Sequence, residues 1–242
     1  HVVIDEFHAL IGSERGMQLQ SLLRRLEFLL GRQIPRVALS ATLGDMDSVA
    51  NALRLNQNYH CEVVIDETVG SDLKLQLRGY LDPVREDAIP AMSRITEDLY
   101  QLLRGTSNLV FANSRSRTEL IAADLSERCQ KNHVPNEFFP HHGSLGKELR
   151  EALEKRLQQE QLPTSAICTM TLELGIDIGH VDSVAQVTSP HSVASLRQRL
   201  GRSGRRGEAS ILRLFIPEAE LTQRSPLGDR LRLQLVQSIA MV

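Results

Sequence analysis

Aromatic side chains are scarce in this sequence. Only 4% of its 242 residues are Phe, Tyr or Trp, and tryptophan is absent. Proteins that hold single strands by stacking their bases need aromatic rings as platforms. We therefore expect no base-stacking surface on this chain.

Cysteines and long apolar runs are also few. Cys61, Cys129 and Cys168 are odd in number, widely spaced and free of any C-x-x-C pattern. They are therefore expected to be reduced thiols, mostly in the core, rather than disulfides or zinc ligands. No apolar stretch approaches the roughly 18 residues of a membrane span, and no basic n-region followed by an apolar h-region is visible. These absences favour a cytoplasmic setting.

Positive charge of the kind that coats nucleic-acid-binding proteins is missing as well. The formal net charge is −2 and the sequence pI is about 6.5, so any contact with nucleic acid must be a local patch. With 41% hydrophobic and 24% charged residues, the chain has the composition of a globular protein with one or two ordinary cores.

The densest positive charge lies at residues 197–206, where five arginines are interleaved with glycines. Guanidinium groups bind phosphate oxygens in pairs, and glycine lets the backbone approach closely. This spacing predicts a phosphate-binding segment. A solvated basic face explains the segment equally well when it is considered alone.

The opposite end of the chain carries two adjacent acids. Residues 1–4 form a short β-branched run that ends at Asp5 and Glu6. Such a run predicts a buried parallel strand that brings both carboxylates to the carboxyl edge of a sheet, where α/β proteins bind ligands. An Asp there can hold Mg²⁺ and a Glu can polarise water, although acids after a strand often only charge a helix N-terminus.

Three further blocks lie between these two ends. They are Ser-Ala-Thr at residues 40–42, Val-Phe-Ala-Asn-Ser-Arg at 110–115 and the segment 169–179. In order, residues 5–8, 40–42, 110–115, 169–179 and 198–205 resemble motifs II, III, IV, V and VI of the superfamily 2 helicases, the DEAD/DEAH-type motors. Within that superfamily, residues 172–179 and 141–145 are most similar to the large-helicase-related (Lhr) type.

The resemblance implies an α/β fold of RecA-like parallel sheets with flanking helices. Residues 1–70 would be the C-terminal part of a first RecA-like domain, with motifs II and III. Residues 71–242 would be a complete second RecA-like domain, with motifs IV, V and VI. Hydrophobic periodicity is lost at residues 68–72, where we expect the linker.

The resemblance also implies a site for ATP and Mg²⁺. Asp5 would coordinate the Mg²⁺, Glu6 would activate the attacking water, and Gln198 would lie near the γ-phosphate. Asp177 would lie near the ribose, but it is equally well explained as an ordinary Asp in a βα turn. The other implied members are Gly175 at the nucleotide and the arginine fingers Arg202 and Arg205.

A DNA or RNA strand, single or duplex and with DNA favoured, is the implied track. Hydroxyls, amides and N–H groups at strand ends suit phosphate oxygens, and such contacts carry position rather than sequence. Serines and threonines there often only complete turns, and His141 and His142 are expected to be turn or core residues. The implied nucleic-acid contacts are Asn113, Ser114, Arg115, Thr169 and Thr171, and the implied coupling residues are His8, Ser40 and Thr42.

One motif of the family is missing. A superfamily 2 motor needs a P-loop, G-x-x-x-x-G-K-[ST], and the sequence contains none. We therefore expect the chain to be part of a longer protein whose partner is the missing N-terminal part of its own first RecA-like domain, and to be inactive alone. The alternative is a non-catalytic nucleic-acid-binding or scaffold module with a helicase-like fold.

Strand and helix patterns alternate along the chain, as in parallel sheets with helical crossovers. Helices are predicted at residues 18–30, 46–55, 91–103, 117–130, 147–159, 193–200 and 229–240. Strands are predicted at residues 36–42, 63–65, 73–81, 108–112, 137–140, 166–169, 181–187 and 210–216, in addition to the first run.

Overall fold

The computed structural model of the chain describes residues 1–40, 46–54, 61–65, 72–85, 87–173, 178–203 and 209–242. The chain divides into two compact units, His1–Val69 and Gly70–Val242. Both units are α/β, and neighbouring strands within each sheet are parallel. Most of the linker predicted at residues 68–72 lies outside the described residues.

Unit 1 is built on two short parallel strands, β1 (Val2–Ile4) and β2 (Arg36–Ala38). A helix, α1 (Glu14–Leu30), connects them, and α2 (Met46–Leu53) follows. A single 3₁₀ turn, Phe7–Ala9, comes directly after the two acids. The small core contains Ile4, Phe7, Leu23, Val49 and Leu53.

Helix α1 begins four residues before the predicted start. Ser13 caps it, because its Oγ accepts the N–H of Gly16 at 3.1 Å. The sequence pattern did not predict this first turn, because it contains Gly16 and glycine has a low helix propensity. The glycine is required by space: a Cβ at this position would lie 1.9 Å from the carbonyl oxygen of Leu10. The helix ends as predicted at Gly31, which has a left-handed φ of 58°.

Two expectations for unit 1 were wrong. The first strand is parallel as predicted, but only Ile4 is buried and Val3 is 62% exposed. The predicted strand at residues 63–65 is absent, since residues 61–65 have no regular structure. Strand β2 ends at Ala38, and the rest of the predicted range reaches residues 41–42, which lie outside the described residues.

Unit 2 is a six-stranded parallel sheet in the order β3-β8-β7-β4-β6-β5. Its strands are β3 (Leu73–Asp82), β4 (Asn108–Ala112), β5 (Phe138–His141), β6 (Ser165–Cys168), β7 (Ser183–Val187) and β8 (Ser210–Ala219). Its helices are α3 (Ala91–Leu103), α4 (Arg115–Lys131), α5 (Lys147–Gln159), α6 (Val193–Leu200), α7 (Leu227–Arg230) and α8 (Leu233–Ala240).

Each face of this sheet carries its own core. Helices α3 and α4 cover one face, and α5, α6 and α8 cover the other. Strand β4 shows the alternation, because Val110 and Ala112 join the first core while Leu109 and Phe111 join the second. All five residues of β4 are buried, as expected of a central parallel strand.

Sequence patterns located most elements of unit 2. The bounds of α3, β4, α5 and α6 are those predicted. The C-terminal helix is instead two helices, because Arg232 between them has a left-handed φ of 51°. Cys129 and Cys168 are buried free thiols, and burial raises the pKa of Cys168. Among the described helices, none combines the length and apolar character that a bilayer crossing requires.

Candidate nucleotide and nucleic-acid sites

In unit 1, the acids and Ser40 lie at one sheet edge. Asp5 and Glu6 follow β1, and Ser40 follows its parallel neighbour β2. His8 lies between them, with its Nδ1 3.5 Å from Glu6 Oε2 and 3.4 Å from Ser40 Oγ. The His8 side chain is only 6% exposed, whereas that of Glu6 is 40% exposed. Three residues that the sequence placed in two motifs are therefore in contact.

Glu6 has a strained backbone. Its φ of 49° and ψ of 42° are left-handed, a region that residues other than glycine rarely adopt. Its N–H donates to Asp5 Oδ1 at 2.9 Å, and the next N–H, of Phe7, donates to the Leu39 carbonyl at 2.9 Å. Such strain costs about 1–3 kcal/mol and concentrates at functional sites. It turns the chain sharply after Asp5 and leaves Asp5 exposed.

No described group of three or more His, Cys, Asp or Glu side chains is arranged to hold a metal ion. The described residues therefore do not form a buried magnesium site made of protein ligands alone. Mg²⁺ bound with a nucleotide needs only one or two carboxylates, with phosphate oxygens and water completing its octahedron. The exposed carboxylate of Asp5 fits that requirement.

In unit 2, polar residues follow four adjacent strands at the carboxyl edge of the sheet. The strand order β7-β4-β6-β5 brings the segments after these strands side by side. Asn113, Ser114 and Arg115 follow β4, while Thr169 and Thr171 follow β6. The histidines His141 and His142 lie at the end of β5 and are 1% and 2% exposed.

Ser114 and Arg115 form the exposed start of α4. The Ser114 Oγ caps the helix by accepting the Arg117 N–H at 3.3 Å. Arg115 donates to the Ser144 hydroxyl of the loop after β5. A capped helix N-terminus with an adjacent arginine suits a phosphate group, because unpaired N–H groups and the helix dipole both favour an anion.

Thr171 is held by a histidine. Its Oγ1 lies 2.9 Å from His141 Nδ1, and it donates to the His141 carbonyl at 3.3 Å. The other ring nitrogen of His141 lies 2.9 Å from Glu154 Oε1. Burial lowers the pKa of His141, and Glu154 partly opposes that shift. His141 is thus a core residue, and the Thr169 N–H also donates to its carbonyl at 3.3 Å.

Both the nitrogen and the oxygen of the Asn113 side-chain amide form hydrogen bonds within the chain. Its Nδ2 donates to Thr188 Oγ1 and to the Ser189 carbonyl, both at 2.8 Å. Its Oδ1 accepts from Gln186 Nε2 at 3.2 Å. The amide therefore connects the ends of β4 and β7 at this edge.

Motif VI residues differ in their exposure. Arg199 is 1% exposed, and its Nε and Nη2 donate to Glu173 Oε2 at 3.1 and 2.8 Å. Its guanidinium also lies 4.4 Å from the centroid of the Phe111 ring. Gln198 and Arg202 are half-buried, and Arg202 reaches the Glu173 carbonyl at 3.5 Å. Arg199 is thus a structural ion-pair partner within its own unit.

Comparisons with known proteins show which family this sequence and fold resemble. Residues 93–207 match the helicase conserved C-terminal domain. The chain is 34% identical over 211 residues to the ATP-dependent helicase Lhr-Core of Methanothermobacter thermautotrophicus, covering 84% of this chain and 24% of that protein. It is 33% identical over 265 residues to the Lhr helicase/uracil glycosylase of Escherichia coli K12, covering 89% of this chain and 17% of that protein.

A solved structure extends the similarity to the whole chain. The structure of Mycobacterium smegmatis helicase Lhr bound to ssDNA and AMP-PNP superimposes with a TM-score of 0.78 at 29% identity. The match covers 100% of this chain and 30% of that one. This chain belongs to the superfamily 2 helicases of the Lhr type. It spans about a quarter of the length of the first curated Lhr relative it matches.

Four predicted site residues of this Lhr-type chain lie outside the described residues. They are Thr42 of motif III, Gly175 and Asp177 of motif V, and Arg205 of motif VI. The roles assigned to these four and to the described members of the site remain predictions.

The sequence analysis missed three polar residues of the site. Gln186, Thr188 and Ser189 lie at the end of β7, beside Asn113, and none was singled out. One signal was available: Gln186 interrupts the otherwise apolar run Val184–Val187 of a buried strand. A polar residue there requires buried partners.

Proposed function

We propose that this chain is part of an ATP-dependent helicase or translocase that moves along a nucleic-acid strand, with DNA as the favoured track. The first observation in support is the contact of Glu6 with His8, and of His8 with Ser40, at the edge of β1 and β2. A strained backbone that presents a carboxylate beside a histidine is typical of a catalytic position.

In this proposal, the acids of unit 1 and the polar residues of motif VI serve ATP hydrolysis. Asp5 would hold the Mg²⁺, which would neutralise phosphate charge when bound with ATP. Glu6 would take a proton from the attacking water, and its contact with His8 orients the carboxylate. As the resemblance implies for motifs V and VI, Gln198 would lie near the γ-phosphate, Arg202 and Arg205 would donate to phosphate oxygens, and Gly175 and Asp177 would belong to the nucleotide site.

The carboxyl edge of unit 2 binds the nucleic-acid backbone. Ser114 and Arg115 are the exposed contacts at the start of α4, and the N–H groups of that helix add donors for phosphate. Thr169 and Thr171 extend this edge towards β5. The similar M. smegmatis helicase was solved with ssDNA, which favours DNA over RNA as the track.

Hydrolysis of ATP tests the proposal directly. The chain should be extended upstream to include any encoded P-loop, and turnover measured with single-stranded DNA, single-stranded RNA or no polymer. We expect strong stimulation by DNA, and loss of turnover in Glu6→Gln, because an amide cannot accept the proton from water.

Glu14→Gln is a suitable control, because it makes the same change at an exposed glutamate of unit 1 that has no assigned role. It should turn over ATP like the unchanged protein. Turnover that survives in Glu6→Gln, or an intact P-loop with no turnover, would instead support the non-catalytic module.

A further inference from the structure

A continuous row of polar side chains, buried except for the half-buried Asn113, crosses unit 2 from motif VI to the carboxyl edge. Its members are Glu173, Arg199, Gln186 and Asn113, and the first three are 7%, 1% and 0% exposed. Arg199 Nη1 donates to Gln186 Oε1, and Gln186 Nε2 donates to Asn113 Oδ1 at 3.2 Å. Gln186 is the only member of this row that has contacts with both Arg199 and Asn113.

The row has a fixed donor direction. A guanidinium can only donate hydrogen bonds, so the amide oxygen of Gln186 must face Arg199. The amide nitrogen of Gln186 must then face Asn113 and the Val187 carbonyl, which accepts at 3.1 Å. Asn113 must in turn present its oxygen to Gln186, which directs its own NH₂ group to Thr188 and Ser189.

The end of the row is a strained turn. Thr188 has a φ of 70°, which is a left-handed conformation and an outlier for a β-branched residue. Its N–H donates to the Phe215 carbonyl at 2.9 Å, and its hydroxyl accepts from Asn113. Strained backbone of this kind persists only where the surroundings hold it in place. The Asn113 amide is one of those constraints.

We propose that Gln186 is a positioning residue of the nucleic-acid edge. Through Asn113 it fixes the turn at Thr188 and Ser189 beside the exposed Ser114, with an orientation set by the motif VI residue Arg199. The inference rests on the proposed binding of nucleic acid at this edge. It adds a residue outside the recognised motifs, which acts by directing hydrogen bonds rather than by touching the ligand.

Gln186→Glu removes the donor of residue 186. A carboxylate still accepts from Arg199, so the buried cation keeps its partners. The ionised side chain has no donor, so Asn113 must rotate its NH₂ group towards residue 186 and turn its oxygen towards the Ser189 carbonyl. Because a buried carboxylate beside Glu173 also costs stability, unfolding is measured separately from binding. Ser183→Ala is the matched control, because it removes a buried hydrogen bond, to Asn108 at 2.6 Å, from the amino end of the same strand.

The experiment measures binding of a fluorescein-labelled single-stranded DNA oligonucleotide by anisotropy, together with thermal unfolding, on the 242-residue chain. We expect Gln186→Glu to weaken binding about tenfold, the effect of about one lost hydrogen bond. Its melting temperature should fall below that of Ser183→Ala, so binding is measured at a temperature at which both variants are folded, and Ser183→Ala should bind DNA like the unchanged chain. Asn113→Ala added to Gln186→Glu should weaken binding no further, because both act through one row.

The unfavourable results are distinct. If Gln186→Glu binds DNA like Ser183→Ala while Arg115→Ala weakens binding, the positioning role is wrong and the proposed function stands. Losses from Gln186→Glu and Asn113→Ala that multiply in the double variant would also overturn the role. If neither the unchanged chain nor the chain extended upstream as in the ATPase test binds DNA, both the proposed function and the role of Gln186 fail.

Discussion

The two units hold their polar sites in different ways. In unit 1, the partly exposed Glu6 is positioned by a strained left-handed backbone and by its contacts with Asp5 and the His8 side chain, in a unit with a small core. In unit 2, the residues behind the carboxyl edge are fixed by a buried ion pair and two amides within a six-stranded sheet. Backbone strain can place one side chain, whereas a buried polar row can fix several loops together.

Among the changes that test this comparison, removal of the Arg199 side chain should have the largest effect on stability. Arg199→Ala would leave the carboxylate of Glu173 buried without its cation, and Gln186 without its donor. We expect the free energy of unfolding of unit 2 to fall by about 3–5 kcal/mol, as for other broken buried pairs. Urea denaturation followed by circular dichroism measures this loss.

Arg197→Ala is the control for stability, since Arg197 is exposed on the same helix as Arg199. It should change the stability by no more than about 0.5 kcal/mol. Equal stability of the two variants would mean that the Arg199–Glu173 pair contributes little, and the contrast between the units would disappear.

Relief of the backbone strain at Glu6 should change stability less than the Arg199 variant does, and should raise it rather than lower it. Glu6→Gly accepts a φ of 49° without a Cβ clash, so we expect unit 1 to become about 1 kcal/mol more stable. The carboxylate proposed to activate water would be lost at the same time. Differential scanning calorimetry, combined with the ATPase assay on the extended chain, follows both changes. A less stable Glu6→Gly would show that the contact of Glu6 with His8 outweighs the strain.

The smallest expected effect is the change in the stability of unit 2 with pH. Burial lowers the pKa of His141 below its ordinary 6.5, with Arg150 and His142 adding to the shift and Glu154 opposing it. The unfolded chain therefore binds a proton more readily than the folded one. His141 favours folding above about pH 6.5, and this contribution is lost as the pH falls through the lowered pKa.

The measurement compares melting temperatures at pH 7.5 and pH 5.5 for the unchanged chain and for His141→Asn. Asparagine keeps a polar group near Thr171 but does not titrate. The drop on acidification should be smaller in the variant. An equal drop would assign the pH dependence to other groups.

Sequence patterns located the helices and strands of unit 2 well, because helical and alternating periodicities coincide with its two cores. Helix α6 and strand β4 were bounded correctly on that basis. Unit 1 was harder to predict. Gly16 made the first turn of α1 hard to predict, and the apolar residues at 63–65 suggested a strand although all three are exposed, by 39%, 87% and 48%.

The motifs located the candidate site residues but not their connections. Asp5, Glu6 and Ser114 could be named from motif order, and His8 from its place beside the acids. The row through Gln186 could not be predicted in this way, because its hydrogen bonds join β7 to the ends of β4 and α6, far apart in sequence. Left-handed backbone at Glu6 and Thr188 has no signature in residue type, since neither position is glycine.

The outermost strand pair of unit 2 has a consequence for how the chain is made. Strand β3 begins the unit and β8 is its last strand, yet the two lie in register over ten residues, from Leu73 and Ser210 to Asp82 and Ala219. Because β3 is made before the rest of unit 2, nearly the whole unit must follow before the sheet partner of β3 exists. Completion of this sheet is therefore a late step in the folding of unit 2, and a chain stopped before residue 210 would leave β3 without β8.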